Sequence, residues 1–400
     1  MSDQALTGIK VLDVGHHIAG PYCAKLLADF GADVIKVERP DGGDPSRKLG
    51  PFLNDEPNPE ASAYFLYLNN NKKSITLNLK TETGVKIFKE LVKKTDILVE
   101  SFSPKVMPKL GLSYSKLKKI NRGLIMTSIS NFGQTGPYKD YKASDLVVQS
   151  LGGWVWARGE PAREPVRAGG RLRLSEFVGG MYAATASMTA YHSRIANGTG
   201  QHVDVSLMEA ATSMMPYPAA QSKFPNNAPY PHMRLIFTPG VEQCKDGYVG
   251  VNTLTGPQWE GICQMMGMDD WAENPDFRTL VGRLFRRQEV LDRMAPWLIE
   301  HTKDEVFNDG QAWRIPVAPV STTKDIVNSP QHQAREYLVE VKHPVAGKIT
   351  QPGPIVKMSE TPWKMKSPAP LLGEHNEKVY GELLGYNKAD LVRLRQSGII

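Results

Sequence analysis

The stretch GIKVLDVGHHIAGPYCAKLLADFGADVIKVE, residues 8–38, decides the fold class because it predicts a strand, a helix and a second strand in succession. The apolar runs at residues 9–14 and 32–38 are typical of buried strands. Between them, Pro21 can open a helix that stops at Gly31, since proline suits a first helical turn and glycine a helix end. This order predicts two parallel strands joined by a helical crossover.

The alternation of strands and helices continues along the chain. Further strands are predicted at residues 73–79, 96–101, 124–130 and 203–207, and further helices at 81–94 and 176–196. Strands that alternate with helices indicate a parallel sheet covered on both faces, which is an α/β fold of the doubly wound type. Such sheets bind ligands in the loops beyond the carboxyl ends of their strands.

The chain has 400 residues, more than one core usually organises, so two lobes are expected. A proline-rich stretch at residues 214–240 interrupts the regular pattern. We therefore predict a large ligand-binding lobe at residues 1–213, a crossover linker at 214–240, a small lobe at 241–325 and a return to the large lobe at 326–400.

Composition narrows the classes of function. The net charge of +6 favours an anionic ligand, but the basic residues are spread along the chain and do not form the dense stripe of a nucleic-acid binder. No run approaches the roughly 20 apolar residues of a membrane span. Three cysteines without a CxxC pair argue against disulfides and against a metal site. The first residues lack a secretion signal, so a cytoplasmic location is expected.

Several loops that follow predicted strands carry groups suited to an anion. GHH at residues 15–17 offers a histidine that either lines a pocket or has only a structural role. Lysines follow in NNNKKS at 69–74, SFSPKVMPKLG at 101–111 and KDYKASD at 139–145. Each loop alone would be an ordinary solvated segment, but together they predict a site for a ligand with several phosphates.

Two further features concern carboxylates. Five arginines at positions 158, 163, 167, 171 and 173 form either a solvated loop or a clamp for a carboxylate, which guanidinium groups bind in bidentate fashion. Glu176 follows this run at the start of a predicted helix, where the helix dipole alone would favour an acidic residue.

Long motifs in order carry a resemblance to a known family. They are residues 8–47, NNNKKSITLNLK at 69–80, DILVESFSPKVMPKLGLSYSKLKKIN at 96–121, residues 124–150, TGQHVDVSLMEA at 199–210, DGYVGV at 246–251 and RIPVAPV at 314–320. With these motifs the chain resembles the class III CoA-transferases, the family of formyl-CoA transferase, carnitine CoA-transferase and α-methylacyl-CoA racemase.

The resemblance implies a fold and a set of ligands. The fold is α/β, with a large Rossmann-like lobe, a small α+β lobe and an interlocked dimer with a second family chain, identical or paralogous. The substrates are an acyl-CoA and a carboxylic acid, and no metal is involved. The residues that the resemblance assigns to coenzyme A are His17, Arg39, Asn71, Lys72, Phe102, Lys109 and Lys142.

The resemblance also assigns a catalytic position. In the family's transferases an Asp carboxylate attacks the thioester and forms a mixed anhydride. Glu176 stands at that position in this chain, with one additional methylene. Either Glu176 is the nucleophile, or this chain is the non-catalytic partner of a heteromer, like that of succinyl-CoA:benzylsuccinate transferase, whose other chain supplies the Asp. The arginine run would suit a dicarboxylic substrate in both cases.

Two other activities within the family are weaker interpretations. The racemase branch uses a histidine base at the position of Ser144, and a serine hydroxyl has no comparable basicity. Hydrolysis would require water to intercept the anhydride, and nothing in the sequence separates it from transfer. The segment HMRLIFTPGVEQ at residues 232–243 replaces a glycine run of some family transferases, so a different pocket-closing loop is expected.

Overall fold

A computed structural model describes residues 4–156, 173–215 and 238–400. The described residues divide into two compact units, one comprising 4–156, 173–215 and 336–400 and the other comprising 238–335. The predicted crossover at 214–240 falls mostly on residues 216–237, which lie outside the described part of the chain.

The first unit is built on a six-stranded parallel sheet, which confirms the predicted α/β class. Its strands run in the order β3-β2-β1-β4-β5-β6, so the order reverses between β1 and β4. Ligands of doubly wound proteins bind at such a reversal. The strands are β1 (Lys10–Asp13), β2 (Asp33–Glu38), β3 (Lys72–Thr76), β4 (Ile97–Glu100), β5 (Ile125–Ser130) and β6 (His202–Ser206).

Helices cover both faces of this sheet. Val11 and Leu12 are neighbours on β1 and point into opposite apolar cores, as the pleat of a strand requires. The unit also contains 3-10 turns at Pro45–Lys48 and Leu53–Asp55. The helices are α1 (Ala19–Asp29), α2 (Ala63–Leu68), α3 (Glu82–Val92), α4 (Val106–Lys109), α5 (Tyr114–Leu117), α6 (Asp145–Leu151), α7 (Leu174–Asn197) and α8 (Leu207–Ser213).

Helix α7 packs closely against α1, and a glycine makes this approach possible. A Cβ atom added to Gly180 would lie 2.8 Å from the backbone oxygen of Ala19, a separation that real side chains do not tolerate. Gly180 therefore allows the backbones of the two helices to come into contact. Glu176 lies in the first turn of the same helix.

The second unit contains an antiparallel sheet of β7 (Val241–Cys244), β8 (Gly247–Val251) and β9 (Val317–Pro319). Arg283 is fully buried within this unit and donates hydrogen bonds to the carbonyls of Thr238, Thr253 and Phe277. The helices of this unit are Gly256–Met265, Asp269–Ala272, Pro275–Arg278, Leu280–Phe285, Arg287–Glu300, Lys303–Ala312, Thr323–Asn328 and Pro330–Ala334.

The C-terminal segment belongs to the first unit and is fastened to its sheet. It forms a hairpin of β10 (Leu338–His343) and β11 (Gly347–Pro352), then a π-helical segment at Lys378–Leu383 and a last helix at Lys388–Gln396. The Tyr380 hydroxyl donates to the carbonyl of Thr76 at 2.7 Å, which anchors the segment at edge strand β3. None of the helices described is both long and apolar enough to cross a lipid bilayer.

Glu100 ends β4 with its carboxyl group buried among sheet residues. One oxygen accepts a hydrogen bond from the backbone N–H of Phe102 at 2.8 Å. Burial raises the pKa of Glu100 to about 7, and the negative charge of nearby Asp204 adds to that rise. Hydrogen bonds from Ser128 and Phe102 act in the opposite direction. A folded-state pKa above the unfolded value means that Glu100 favours the folded state below pH 4.5 and loses this contribution as pH rises through about 7.

We therefore expect Glu100→Gln to gain stability over the native protein as pH rises from 5 to 8. The gain should reach on the order of 2–3 kcal/mol, since each pKa unit corresponds to about 1.4 kcal/mol. Denaturant unfolding at several pH values measures it, with exposed Glu377→Gln as the matched control. A difference that stays constant across this pH range would contradict the assignment.

Candidate functional site

The loops that follow β1 and β4 meet where the strand order reverses. The backbone N–H of His16 donates to Ser101 Oγ at 2.9 Å, and this hydroxyl donates back to the His16 carbonyl at 3.2 Å. Gly15 lets the first loop fold tightly onto α1, because a Cβ there would lie 2.8 Å from the Cα of Gly20. The two loops therefore form one continuous wall.

Buried charges beneath the first loop hold its backbone in place. Lys36 Nζ donates to the Gly15 carbonyl at 3.0 Å and lies 2.8 Å from Asp44. Asp44 accepts from the His17 backbone at 3.1 Å, and Asp13 accepts from the Gly15 backbone at 2.9 Å. Burial alone would lower the pKa of Lys36, but Asp13 and Asp44 outweigh it and hold that pKa above its usual range. The loop therefore rests on a charged, fully buried support.

Glu176 opens into a cavity of about 290 Å³ at this edge of the sheet, which we call the Glu176 cavity. Its walls come from the two loops, from the loop after β5 and from the start of α7. The polar residues that line it are His16, His17, Ser101, Ser103, Ser130, Asn131, Lys139, Tyr141, Ser144, Asp145, Arg173, Ser175 and Glu176.

The Glu176 carboxyl group is held by one arginine. Arg173 Nη1 lies 3.0 Å from Glu176 Oε1, and the Glu176 side chain is only 14% exposed. Burial raises the pKa of Glu176, opposed by the positive charge and hydrogen bond of Arg173, while the negative charge of Asp145 adds to the rise. A carboxylate that is partly desolvated and still paired is suited to nucleophilic attack.

Asp145 fixes the helix turn from which Glu176 projects. Its Oδ1 accepts hydrogen bonds from the backbone N–H and the hydroxyl of Ser175, and its Oδ2 accepts from Gln149 Nε2 at 2.7 Å. Asp145 is itself buried at the start of α6. Ser175, next to Glu176, is therefore bonded to a neighbouring helix, which limits the freedom of the turn that carries Glu176.

Both histidines of the GHH sequence line the Glu176 cavity. Burial lowers the pKa of His16 to about 4, so this imidazole is neutral at physiological pH. Burial also lowers the pKa of His17. The rings of His16 and Phe102 meet edge to face with centroids 4.9 Å apart. These neutral side chains can shape the cavity and offer hydrogen bonds without adding positive charge.

A second cavity of about 630 Å³ adjoins the first, and His16 and Phe102 line both. We call it the Arg39 cavity. It is mostly apolar, with Val14, Val37, Leu77, Leu79, Val106 and Leu110 in its walls. Arg39 and Lys80 supply its cations, and Glu38 and Asp41 supply its carboxylates. Lys80 also belongs to a neighbouring groove whose other lysines are Lys86, Lys89 and Lys109.

The structure brings some predicted coenzyme A contacts together and places others elsewhere. His17, Phe102 and Glu176 line the Glu176 cavity, Arg39 and Phe102 line the Arg39 cavity, and Lys109 lies in the adjoining lysine groove. Lys142 is exposed between two residues that line the Glu176 cavity, Tyr141 and Ala143.

Asn71 and Lys72 have structural partners. Lys72 is fully buried, and its ammonium group donates to Asp13 at 2.9 Å, to the Pro21 carbonyl at 2.8 Å and to Asn69 at 3.0 Å. The Asn71 side chain accepts hydrogen bonds from the backbone of the C-terminal segment. Their donors and acceptors thus serve the fold in this structure.

Sequence reasoning missed several residues of the Glu176 cavity. The GHH motif predicts one histidine in a pocket and the resemblance assigns only His17, whereas His16 lines the cavity too, and the charged loop at 139–145 does not by itself single out Lys139 or Asp145. The spacing of Asp145 and Gln149 along one helix face was an available signal. Of the five arginines in the predicted clamp, Arg173 lines the cavity, and positions 158, 163, 167 and 171 lie outside the described residues.

Comparison with characterised proteins gives close relatives along the whole chain. The formyl-CoA:oxalate CoA-transferase of Rhodopseudomonas palustris is 34% identical over 421 residues, covering 99% of this chain and 97% of the relative. The succinyl-CoA–D-citramalate CoA-transferase of Chloroflexus aurantiacus is 32% identical, covering 99% of this chain and 98% of the relative.

Solved structures and a family profile agree with these relatives. A CAIB/BAIF family protein from Brucella suis superposes with a TM-score of 0.84 at 29% identity, covering 95% of this chain and 100% of that one. A hypothetical protein from Mycobacterium tuberculosis gives a TM-score of 0.80 at 27% identity, covering 94% and 100%. The profile described as CoA-transferase family III matches residues 6–376. The chain therefore belongs to CoA-transferase family III.

Proposed function

We propose that this chain moves coenzyme A from an acyl-CoA to a carboxylic acid through covalent intermediates on Glu176. The observation that carries the proposal is the placement of Glu176, a partly desolvated carboxylate in a small cavity that adjoins a larger, mostly apolar one beside a lysine groove. The relatives named as CoA-transferases support this type of reaction.

The two cavities suggest how coenzyme A lies in the site. The apolar walls of the Arg39 cavity suit an adenine ring, and Arg39 with the lysine groove around Lys109 suits its phosphates. The pantetheine arm would then pass His16 and Phe102, which line both cavities, and bring the thioester to Glu176. His17 and Lys142 would contact the arm, while Asn71 and Lys72 would support the site through the buried network.

The reaction follows from attack by the free carboxylate oxygen. Glu176 adds to the thioester carbonyl, the carbon–sulfur bond breaks, and a mixed anhydride and CoA thiolate form. The thiolate attacks the glutamyl carbonyl, which gives a Glu176–CoA thioester and releases the donor acid. The acceptor carboxylate attacks this thioester, a second anhydride and thiolate form, and the thiolate takes the acceptor acyl group. Glu176 is regenerated as a carboxylate.

The acceptor in this proposal is a dicarboxylic acid. Two cationic side chains, Arg173 and Lys139, line the Glu176 cavity, and each can bind a carboxylate. Oxalate and citramalate, which appear in the names of two relatives, are both dicarboxylates. A cavity of about 290 Å³ accommodates only a small acid beside the thioester.

We propose that a second family chain completes the protein, either an identical copy or a paralogue. The first unit exposes apolar side chains of α7 and of the C-terminal segment, including Met181, Ile355 and Val356. These residues line an apolar cavity of about 580 Å³, and a surface of this kind suits a partner chain. A paralogous partner with Asp at the position of Glu176 would make this chain the non-catalytic subunit.

Covalent trapping tests the role of Glu176. The isolated protein incubated with succinyl-CoA and hydroxylamine should acquire a hydroxamate on Glu176, which peptide mass spectrometry locates. Glu176→Gln should remove the label and reduce transfer by at least about a thousandfold, as expected for loss of a covalent nucleophile. Glu176→Asp should retain the label and lose about a hundredfold in rate, since a displacement near 1 Å is costly in a positioned reaction.

The same experiment separates the two subunit hypotheses. Labelling and transfer by the isolated chain support self-sufficient catalysis. A folded chain that binds coenzyme A but gives no label would support the non-catalytic role. In that case, activity should appear only after a paralogous chain with Asp at this position is added, and the label should lie on that Asp.

Coenzyme A affinity tests the assignment of the Arg39 cavity. Arg39→Gln and Lys109→Gln should each weaken binding about tenfold, because each removes a charge-assisted contact to a phosphate. Titration calorimetry with coenzyme A and with dephospho-coenzyme A identifies the phosphate involved. Exposed Lys388→Gln is the matched control. Unchanged affinity in both cavity variants would place the nucleotide elsewhere.

A further inference from the structure

Arg173 occupies an unusual backbone position beside the reactive carboxylate. It directly precedes α7 with φ 48° and ψ 49°, in the left-handed region that residues other than glycine rarely adopt. Its carbonyl accepts the backbone N–H of Glu176 at 3.1 Å, and its guanidinium reaches the Glu176 carboxylate at 3.0 Å. One residue thus holds both the backbone and the side chain of Glu176.

The arginine binds only one of the two carboxylate oxygens. Oε1 of Glu176 receives the hydrogen bond from Arg173 Nη1. No residue in the described part of the chain donates a hydrogen bond to Oε2, and Glu176 lines the cavity. The arginine therefore restricts rotation of the Glu176 side chain, which is longer than the Asp of the family's transferases. It leaves the second carboxylate oxygen available for attack.

The charge on Glu176 changes during the proposed reaction, and Arg173 must change partners with it. When Glu176 becomes an anhydride or a thioester, its negative charge is gone and the guanidinium loses its ionic partner. At the thioester stage the released donor acid and the entering acceptor acid each bring a carboxylate into the cavity, whose own remaining carboxylate, Asp145, is already bonded to Ser175 and Gln149. The Arg173 side chain is 36% exposed, so an acid in the cavity can reach it.

We propose that Arg173 is a positioning residue that alternates between two carboxylates, that of Glu176 in the resting enzyme and that of the substrate acid while Glu176 carries coenzyme A. This inference rests on the proposed function of Glu176. It assigns to one residue both the orientation of the nucleophile and the binding of the acceptor at the site of attack.

The alternation predicts two effects that a merely structural arginine would not produce. Without Arg173, burial and Asp145 act unopposed, so the pKa of Glu176 rises and attack requires a higher pH. The acceptor also loses its cation, so its KM rises while coenzyme A affinity stays the same. The titratable groups that share the cavity with Glu176 are Asp145, His16, His17, Lys139 and Tyr141.

The test combines single-turnover acylation over a range of pH with steady-state kinetics of the acceptor. In Arg173→Gln the acidic limb of the acylation rate should move upward by about one pH unit or more, as expected when a neighbouring opposite charge is removed. The acceptor KM should rise about tenfold, consistent with loss of one charged hydrogen bond. Arg173→Lys should keep the position of the acidic limb, because it retains the charge.

Controls separate this inference from the proposed function. Arg122→Gln removes the same charge from an exposed position and should change neither quantity. If Arg173→Gln does not fold, Arg173→Gly replaces it, since glycine suits the left-handed backbone. Suppose that the native protein acquires the label on Glu176 but the Arg173 variant keeps the native pH profile and acceptor KM. That result would overturn the role of Arg173 and leave the role of Glu176 standing. Absence of label in the native protein would overturn the role of Glu176 and this inference with it.

Discussion

The ion network of Asp13, Lys36 and Asp44 is the constraint on which the rest of the site depends. All three side chains are fully buried, and Lys36 lies 2.8 Å from Asp44 and 3.7 Å from Asp13. Removing one member of such a network typically costs about 3–5 kcal/mol, because the remaining charge stays buried without its partner. The network does more than support the core, since its members also accept from or donate to the backbone of residues 15–17.

That support explains why a loop can serve as a wall between two cavities. The loop at the carboxyl end of a parallel strand can usually adopt many backbone conformations. Here the His16 backbone is bonded to Ser101, and the adjacent Gly15 carbonyl is bonded to buried Lys36. Phe102 completes the wall and is held in turn by Glu100. The separation between the Arg39 cavity and Glu176 is therefore set by buried groups beneath and beside this loop.

The sheet was predictable from sequence because each strand carries its own apolar run. Val11 and Leu12 face different cores, so a continuous run such as residues 9–14 indicates a strand buried on both faces. The site was only partly predictable, because the sequence does not show whether the side chain of a lysine that follows a strand points to a ligand or into the protein. Lys72 belongs to a basic run that suggested a ligand contact, but its ammonium group points inward to three protein acceptors. Asp145 was missed for the same reason, since its role depends on Ser175, 30 positions along the chain.

The proposed role of Glu176, which the resemblance places where the family's transferases carry Asp, has to be judged together with residue 173. A longer side chain has one more rotatable bond, and an unrestrained carboxylate would spend less time in the geometry for attack. A guanidinium fixed to one oxygen restricts that bond and opposes the effect of burial on ionisation. Arg173 and Glu176 are therefore best regarded as one unit, in which the arginine restrains the longer side chain. In the proposed mechanism, the chemistry of this position depends on the pair and not on the identity of the acid alone.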